Sequence, residues 1–401
     1  MDYDIVVVGA GPAGLALARS LAGTGLSMAL VERQPQAELA DPPVDGRDIA
    51  LTHLSRSILQ RLGAWEHIPS DQVSPLQAAR VVDGDSPFSL DFDNSGRAGE
   101  PLGYLIANHL IRKALYEVVA PLDRVDILAD TTVTGVSSHA EAAEAVLADG
   151  RRLRARLLVG ADTRFSHTRQ QMGIGADMRD FGRVAIVCRM QHELAHDNTA
   201  WECFHYGRTL AILPMPGNAS SIVITVPADE APAIVGMDEA VFNADIEERF
   251  GHRLGGMRLS GERFSYPLVA VHAQRFVAQR FALIGDAAVG MHPVTAHGFN
   301  LGLSGVDLLT REISRLVSHG GDIADPAALA RYQSHHRLAT LPLFHGTNEI
   351  VGLFTDDRLP ARLARKAVLR LSDHLPPVKW AIRHKLVSRG HVGGPFLGLL
   401  P

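Results

Sequence analysis

The chain has little cysteine, few aromatic residues and no long apolar run. Only Cys188 and Cys203 occur among its 401 residues, and aromatic residues make up 6%. The two cysteines form no C-x-x-C pair, so the sequence predicts neither a disulfide framework nor a cysteine-based metal site, and no metal is expected. This usage indicates a reducing compartment, and both thiols are interpreted as small buried hydrophobes.

Excess positive charge is also absent. Lysine and arginine number 39 against 44 acidic residues, a formal net charge of −5, so we expect no general nucleic-acid binding. No apolar run reaches the roughly 18 residues of a membrane helix, which predicts no transmembrane segment. The apolar run over residues 5–18 follows Asp2 and Asp4 rather than basic residues and is broken by glycine, so it is not read as a signal peptide. We therefore expect a cytoplasmic protein, and at 401 residues one of about two to four structural units.

A glycine-rich turn near the start carries the first chemical signal. The apolar, β-rich run Tyr3–Val8 precedes it and helix formers follow it. The turn fits G-x-G-x-x-G and consists of Gly9, Ala10, Gly11, Pro12, Ala13 and Gly14. In a strand–turn–helix context this pattern predicts a dinucleotide pyrophosphate at the helix N-terminus. The motif alone does not separate NAD from FAD, and its alternative is a turn without a ligand.

A carboxylate follows the next predicted strand. Residues 27–31 (SMALV) form an apolar run that ends at Glu32. An acid at this position can accept hydrogen bonds from the ribose hydroxyls of an adenine dinucleotide. Glu32 therefore strengthens the dinucleotide interpretation.

Two later segments also place an acid after a predicted strand. Asp162 ends the run RLLVGAD and is followed by Ser166 and Arg169, and Asp286 ends the run FALIGD. Asp162, with Ser166 and Arg169 on the following helix, can both hold a diphosphate ligand and fix the loop around it, whereas Asp286 can meet a polyol hydroxyl. The alternative for the first segment is an ordinary turn with a capping acid and a surface arginine.

A loop and a helix start follow. Pro293 and Gly298 bracket the loop, and a helix is predicted to begin near Asn300. Its unpaired backbone N–H groups can stabilise the negative charge of a reduced isoalloxazine.

These blocks, GAGPAG with VER, GADTRFSHTR and LIGDAAVGMHPVTAHGFNLGL, resemble those of the class A flavoprotein aromatic monooxygenases. More narrowly, the chain is similar to the ubiquinone-biosynthesis hydroxylases. The resemblance extends through GRDIAL (residues 46–51) and GYLIAN (residues 103–108) and covers nearly the whole chain. It implies that FAD is lined by Gly9, Gly11, Pro12, Ala13, Gly14, Glu32, Arg33, Arg47, Asn108, Val133 through its backbone, Asp162, Gly285, Asp286, Pro293, Gly298, Phe299 and Asn300.

The implied fold is α/β. It comprises a Rossmann-like, glutathione-reductase-like FAD-binding domain, an inserted, mainly antiparallel β-sheet domain for the substrate, and C-terminal helices. Short β-rich runs separated by Gly, Pro and Asn between residues 176 and 270 favour the inserted sheet. The predicted regions are an FAD domain of residues 1–75, 101–175 and 271–335, a substrate domain of residues 76–100 and 176–270, and a basic helical region of residues 336–401.

Two positions depart from the family pattern. Thr163 stands where the family usually has Gly, and His297 stands where it usually has Gln. His297 is a candidate for assisting proton transfer beside the flavin, and its alternative is a hydrogen-bonded structural residue.

The resemblance implies a reaction. NADH or NADPH transiently reduces non-covalently bound FAD, and O₂ then gives a flavin C4a-hydroperoxide that hydroxylates an aromatic ring, here a polyprenyl phenol of ubiquinone biosynthesis. The alternatives are an FAD-dependent reductase or dehydrogenase of a polyprenyl or terpenoid substrate, and a non-catalytic flavoprotein of a membrane-associated assembly.

The C-terminal segment is basic. From Asp356 onward it has nine basic and three acidic residues, a net charge of +6. Such a segment can contact an anionic membrane surface, here peripherally at the inner membrane, or dock on a quinone-biosynthesis complex. The alternative is a helical cap that packs on the acidic body of its own chain.

Overall fold

The computed structural model describes residues 1–83, 89–93, 100–205, 207–292 and 297–355. Pro293 and the basic segment from residue 356 onward therefore lie outside the described residues. The helices are α1 Pro12–Leu21, α2 Gln36–Ala40, α3 His53–Arg61, α4 Asn108–Val119, α5 His167–Gln171, α6 Ala231–Val235, α7 Glu239–Arg249, α8 His297–Ser318 and α9 Pro326–Thr355. The strands are β1 Tyr3–Val8, β2 Met28–Val31, β3 Asp48–Leu51, β4 Ser74–Leu76, β5 Ala78–Asp83, β6 Ser89–Asp93, β7 Gly103–Ala107, β8 Val125–Leu128, β9 Val133–Ser138, β10 Ala143–Leu147, β11 Arg152–Gly160, β12 Ala176–His192, β13 Thr199–His205, β14 Arg208–Met215, β15 Ala219–Pro227, β16 Met257–Ala273, β17 Val277–Ala278, β18 Phe281–Leu283 and β19 Val289–Gly290.

The first sheet has a parallel centre. Its strand order is β17-β18-β11-β1-β2-β8, and β1 is parallel to both β11 and β2. In addition, β10 pairs with β11, and β9 pairs with β10. Residues 5–8 of β1 are buried, as predicted from their continuous apolar character. Because parallel strands end at the same edge, the turns after β1, β11 and β18 meet there.

The second sheet is mainly antiparallel, with the order β19-β16-β12-β15-β14-β13-β5-β6. The runs 184–190, 200–205, 209–213 and 221–226, which the sequence predicted as strands, lie within β12, β13, β14 and β15. One face of this sheet packs Ile222 and Ile224 against Phe242 and Ile246 of α7. We call the opposite face, which carries Val187, Arg189 and Tyr266, the front face.

The front face is turned towards the loop that leads into β3. The Tyr266 hydroxyl donates to the backbone oxygen of Asp45 at 2.6 Å. Arg189 pairs with Asp48 at 2.7 Å. The small sheet β3-β7-β4 also contacts β14. Specific polar contacts therefore join the front face to β3 and to the loop that leads into it.

Helix α8 packs against both α1 and α9. It begins at His297, three residues before the start predicted from the sequence near Asn300. None of the helices in the described ranges is both long and apolar enough to cross a membrane. The predicted division of the chain into domains stays a prediction.

Candidate functional site

The ends of three neighbouring strands bring the three sequence motifs together. The Ala161 N–H donates to Val8 O at 2.8 Å, and the Ile284 N–H donates to Gly160 O at 2.9 Å. The Gly9 N–H donates to Val31 O at 2.8 Å, which adds the end of β2 to the group. Residues separated by up to 276 positions, from Val8 to Ile284, therefore surround one edge of the first sheet.

The glycine-rich turn has the geometry of a phosphate cradle. Gly9 has φ +110, and a Cβ at this position would lie 2.5 Å from Ala161 O. A Cβ at Gly14 would lie 2.0 Å from Gly9 O, so helix and strand approach too closely for any side chain. In contrast, a Cβ at Gly11 would meet no atom within 4 Å. The space in front of Gly11 is what a pyrophosphate requires.

The N-terminus of α1 faces the same space. Pro12 is at the start of the helix, and no side chain caps its first N–H groups. Uncapped N–H groups and the helix dipole favour an anion at this position. Gly11, Pro12 and Ala13 thus form the part of the cradle that can hold a diphosphate.

Glu32 is oriented by the backbone. Its Oε2 accepts a hydrogen bond from the Ala10 N–H at 2.8 Å, and its Oε1 accepts one from the Gln34 N–H at 3.1 Å. The Thr131 N–H donates to Glu32 O at 2.9 Å, so the buried Val133 at the start of β9 lies near this end. Arg33 is exposed beside it. This arrangement fixes a carboxylate next to the glycine turn, where a ribose would lie.

Asp162 fixes its own loop. It accepts hydrogen bonds from the Ser166 hydroxyl at 2.6 Å and the Thr168 hydroxyl at 3.1 Å through Oδ1. Ser166 in turn caps α5 by accepting from the Arg169 N–H. These contacts fit the predicted fixing of the loop around Asp162, and its contact with a diphosphate stays a prediction.

Arg169 links the second motif to the third. It is 2% exposed, and its guanidinium donates to Arg164 O at 3.1 Å and to Ala287 O at 2.9 Å. Burial lowers the pKa of this guanidinium. The alternative of a surface arginine at this position is therefore wrong, because Arg169 is buried and its guanidinium joins the second motif to the third by hydrogen bonds.

Asp286 has a partner that the sequence analysis missed. Arg164 donates to Asp286 Oδ2 at 3.1 Å and to Val269 O at 2.9 Å. The Asp286 side chain remains 41% exposed, so it can still meet a ligand. A Cβ at Gly285 would lie 2.8 Å from the Ala13 Cβ, which shows how closely the third motif approaches the first. The basic residue within GADTR was the sequence signal for Arg164.

Arg47 and Asn108 converge on a second missed residue, Asp45. Asp45 Oδ2 accepts from Arg47 at 2.6 Å and from the Asn108 amide at 2.8 Å. Burial opposes the charge of Arg47, but the hydrogen bonds and charge of Asp45 outweigh it and raise the pKa of the guanidinium. The guanidinium carbon also lies 5.4 Å from the centre of the Tyr266 ring. Arg47 is therefore a fixed, permanent cation at the junction of the two sheets.

The start of α8 is anchored to β3 and α3. The Asn300 amide donates to Ala50 O at 2.8 Å, and its oxygen accepts from the Thr52 N–H at 3.0 Å. His297, Gly298 and Phe299 form the first residues of the helix. The Asn300 side chain thus fixes the start of α8.

His292 lies just before the loop that leads into α8, and its ring is buried against Phe181. Burial lowers the pKa of His292 to about 4, so it is neutral near pH 7.

The front face contributes one unusual acid. Glu202 is half-buried on β13, and burial raises the pKa of its carboxyl to about 8. Glu202 shares the front face with Ala211, Val223 and Val187, and such a shift marks a candidate for proton chemistry.

A known family matches most of the chain. The family described as "FAD binding domain" matches residues 2–340. The chain belongs to this FAD-binding family. Its relatives include the ubiquinone hydroxylase UbiM of Neisseria meningitidis, 50% identical over 392 residues that cover 97% of this chain and 85% of that protein. The ubiquinone hydroxylase UbiL of Rhodospirillum rubrum is 37% identical over 398 residues, covering 99% and 91%. The 3-demethoxyubiquinol 3-hydroxylase of Escherichia coli is 27% identical over 377 residues, covering 94% and 96%.

Solved structures of the same fold include monooxygenases. The p-nitrophenol 4-monooxygenase PnpA of Pseudomonas putida superposes with a TM-score of 0.77 over 97% of this chain and 99% of that chain, at 18% identity. PqsL of Pseudomonas aeruginosa gives a TM-score of 0.75 over 88% and 97%, also at 18% identity. The predicted resemblance to class A flavoprotein monooxygenases and the predicted fold class are confirmed.

The chain is an FAD-dependent hydroxylase, and the cradle fits its cofactor. The open space at Gly11, the uncapped helix start and the oriented Glu32 are the features that a dinucleotide needs. The reductant of this class is NADH or NADPH.

Proposed function

We propose that this enzyme hydroxylates the aromatic ring of a lipophilic phenol, a polyprenyl intermediate of ubiquinone biosynthesis, with NADH or NADPH and O₂. The observation that carries the proposal is the 50% identity to a ubiquinone hydroxylase over 97% of the chain. Together with the converging motifs, it favours ring hydroxylation over a reductase or a non-catalytic flavoprotein.

Each part of the site has a role in this reaction. Bound FAD supplies the two-electron redox and oxygen chemistry. Gly11 and the N-terminus of α1 hold the pyrophosphate, Glu32 holds the ribose, and Asp286 meets the polyol. Arg47, held by Asp45, supplies positive charge beside the ring system. The front face of the second sheet forms the wall that orients the substrate and excludes water.

The decisive experiment measures NAD(P)H oxidation and the incorporation of oxygen from O₂ into the product. Purified holoenzyme is given NADH or NADPH, a phenol with a short isoprenoid chain, and isotopically labelled O₂. We expect the phenol to stimulate NAD(P)H oxidation and one labelled oxygen atom to enter the ring. Product formation without O₂ would favour a reductase, and no stimulation would favour a non-catalytic flavoprotein.

The proposed cofactor contacts are tested separately. We expect Glu32→Ala and Asp286→Ala each to weaken FAD binding by about 1–3 kcal/mol, because each removes a charged hydrogen-bonding partner. Flavin content after gel filtration gives the measurement. Full flavin retention in both variants would contradict the proposed roles.

His297 is proposed to tune the reaction. Because it stands at the start of α8 beside the expected ring position, His297→Gln should preserve folding and flavin content while it changes product position or coupling. Product analysis and the ratio of product to NAD(P)H consumed measure this. Loss of all flavin would show that His297 is a cofactor-holding residue instead.

We further propose that the basic segment from Asp356 onward collects the lipophilic substrate at an anionic membrane surface. Its net charge of +6 supports this, because each basic residue near such a surface contributes about 1 kcal/mol that salt weakens. Co-sedimentation with anionic and neutral vesicles at low and high salt is the test. Equal binding to both vesicle types, or none to anionic vesicles at low salt, would favour docking on a protein complex or on the chain itself.

A further inference from the structure

Asn108 and Arg112 of helix α4 face the segment of residues 32–47, which joins β2 to β3. They are four residues apart and therefore lie on the same side of the helix. The Asn108 amide donates to Asp45 Oδ2 at 2.8 Å, near one end of the segment. Arg112 Nη2 donates to Gln34 Oε1 at 2.7 Å, near the other end. The side of α4 that carries Arg112 therefore spans this segment.

The two ends of the segment are also the two ends of the proposed FAD site. The Glu32 carboxylate, proposed to hold the ribose, accepts from the Gln34 N–H at 3.1 Å. The backbone oxygen of Arg47, proposed to lie beside the ring system, accepts from the Asn108 N–H at 2.9 Å. Helix α1, whose N-terminus belongs to the cradle, packs against α4. Because the diphosphate of FAD joins the adenosine to the flavin half, Arg112 lies beside the stretch that the diphosphate has to cross.

The guanidinium of Arg112 is held in place by an oriented amide. Gln34 Nε2 donates to Glu38 Oε2 at 3.1 Å, which leaves Gln34 Oε1 for Arg112. The backbone of Gln34 is fixed as well, because the Asp130 N–H donates to Gln34 O at 3.0 Å. A neutral group thus orients the Arg112 side chain without neutralising its charge.

Arg112 keeps most of its donors and its whole charge. In the part of the chain that the structure describes, the bond to Gln34 is the only hydrogen bond of its guanidinium, and it forms no ion pair. The residue is half-buried, and burial lowers the pKa of the guanidinium, although the charges of Asp45 and Glu32 oppose this effect. Arginine nevertheless stays protonated in proteins. A half-buried cation with unused donors favours an anionic ligand.

The charge of the proposed site also calls for a further cation. Arg47 already pairs with Asp45 at 2.6 Å, and Arg164 pairs with Asp286 at 3.1 Å. The N-terminus of α1 supplies only about half a positive charge, which is less than the negative charge of a diphosphate. Arg112, which has no acidic partner among the described residues, can supply the missing positive charge.

We propose that Arg112 is a further FAD-binding residue, whose guanidinium donates hydrogen bonds to the diphosphate. Arginine suits this ligand because two parallel N–H groups can meet two phosphate oxygens while the opposite charges attract. The proposal rests on the proposed placement of FAD along Glu32, Gly11 and Arg47, and it is independent of the substrate.

The test uses the whole chain freed of FAD, with Arg112→Gln, Arg112→Lys and the control Lys113→Gln. Lys113 is the next residue of α4 and pairs with the exposed Asp41 at 2.8 Å. Its replacement therefore removes the same charge from the same helix, but outside the proposed contact. FAD titration followed by flavin fluorescence gives the dissociation constant. ADP and adenosine, which differ by the diphosphate, are then used to displace FAD, and urea unfolding measures the stability of each apoprotein.

We expect Arg112→Gln to raise the dissociation constant for FAD about 10–100-fold, because a charge-assisted hydrogen bond is lost. Displacement of FAD by ADP should weaken by a similar factor, whereas displacement by adenosine should stay unchanged. Arg112→Lys should recover part of the loss, since lysine keeps the charge but not the paired N–H groups. Lys113→Gln should bind all three ligands as wild type does, because water screens an exposed charge.

Three results would overturn the proposal. Unchanged FAD affinity in Arg112→Gln would show that the guanidinium does not contact the cofactor. An equal loss in Lys113→Gln would assign the effect to the general charge of α4. An equal weakening of ADP and adenosine would show that Arg112 acts through Gln34 on the ribose carboxylate rather than on the diphosphate.

Failure of the FAD placement itself is distinguishable through Glu32→Ala. If Glu32→Ala weakens FAD binding and Arg112→Gln does not, only the role of Arg112 fails. If both variants bind FAD as wild type does, the placement and the proposal fall together. If the Arg112→Gln apoprotein does not fold, Arg112→Lys decides, and failure of both to fold would assign Arg112 a structural role and overturn the proposal.

Discussion

Asp48 and Arg189 form an ion pair of 2.7 Å between β3 and β12, across the junction of the small sheet and the front face. The Asp48 side chain is fully buried, whereas that of Arg189 is 31% exposed. Asp48 Oδ2 and Arg189 Nε have no hydrogen-bond partner among the described residues. Because Asp48 directly follows Arg47, this pair also positions the cation proposed to lie at the flavin.

The two partners should respond unequally to substitution. Arg189→Met leaves a buried carboxylate without its counter-charge and should lower the free energy of unfolding by about 3–5 kcal/mol. Asp48→Asn leaves only a partly hydrated guanidinium, so we expect a smaller loss, about 1–2 kcal/mol. Urea unfolding of the apoprotein measures both. Equal losses would mean that the Asp48 carboxyl is not desolvated.

An exposed pair provides the control. Arg151 and Asp149 are about half exposed, at 53% and 48%, and lie 2.6 Å apart. Arg151→Met should change the free energy of unfolding by no more than about 1 kcal/mol, because water screens such pairs. A loss as large as that of Arg189→Met would show that methionine itself, rather than burial, causes the effect.

The glycines of the cradle should separate folding from cofactor binding. Gly11 has φ −70, which any residue adopts, and its Cβ would meet no atom, so Gly11→Ala should leave apoprotein stability within about 0.5 kcal/mol. The new methyl group would occupy the path of the pyrophosphate and weaken FAD binding. Gly14→Ala places a Cβ 2.0 Å from Gly9 O and should destabilise the apoprotein by about 3 kcal/mol or more.

Fluorescence titration with FAD and urea unfolding of both apoproteins check this pair. Undiminished FAD affinity in Gly11→Ala would show that the diphosphate does not lie in the space in front of Gly11. Undiminished stability in Gly14→Ala would mean that helix α1 can move away from β1.

The sequence predicted the parts of the site that local rules determine. Gly9, Gly11 and Gly14 are recognisable because all three lie in one short segment and each has a local reason to lack a side chain. The tight turn requires Gly9, the approach of the pyrophosphate requires Gly11, and the close contact of helix and strand requires Gly14. Asp45, Arg164 and the Asp48–Arg189 pair were not predictable in this way. Their partners lie at Asn108, Asp286 and in another sheet, and no local pattern encodes contacts that only the tertiary fold creates.

The same limit applies to Glu202 and Arg169. Burial decides the pKa of the first and the interior position of the second, and burial depends on which face a strand or short helix presents. The sequence did not decide whether Arg169 is exposed or buried, because the short helix α5 has too few positions to define an apolar face.

Acid pH should destabilise the protein through buried histidines. His272 is 1% exposed, with its Nε2 3.1 Å from the Thr340 hydroxyl, and burial lowers its pKa to about 4. Burial lowers the pKa of the neighbouring His336 to about 3. The folded state therefore binds fewer protons than the unfolded state below the ordinary value of 6.5. The stability is complete above that pH and is lost as the pH falls towards 4.

For His272 the loss should approach about 3 kcal/mol over this range. We expect His272→Gln to reduce the difference between urea unfolding free energies measured at about pH 7 and about pH 4.5. Gln keeps a polar group for Thr340 and does not titrate. The exposed His139 provides the control, since His139→Gln should leave the pH dependence unchanged. An unchanged slope in His272→Gln would place the acid sensitivity elsewhere.

The two cysteines are buried in different strands of the second sheet. Cys188 in β12 and Cys203 in β13 are each 1% exposed, and β15 and β14 lie between their strands. Three strand spacings of about 4.8 Å exceed the separation that a disulfide can bridge. The expectation of buried, unpaired thiols is confirmed.

Both thiols should be inert until the sheet opens. Burial raises the pKa of each to about 12, so at pH 8 only about one thiol in 10⁴ is ionised, and the thiolate is the reactive form. We expect no reaction of native protein with a thiol-specific chromogenic reagent and two equivalents in urea. Cys188→Ala and Cys203→Ala should each leave one equivalent, which assigns the signals. Prompt labelling of the native protein would show that the α7 side of the sheet opens readily, and the variant that abolishes it would identify the strand.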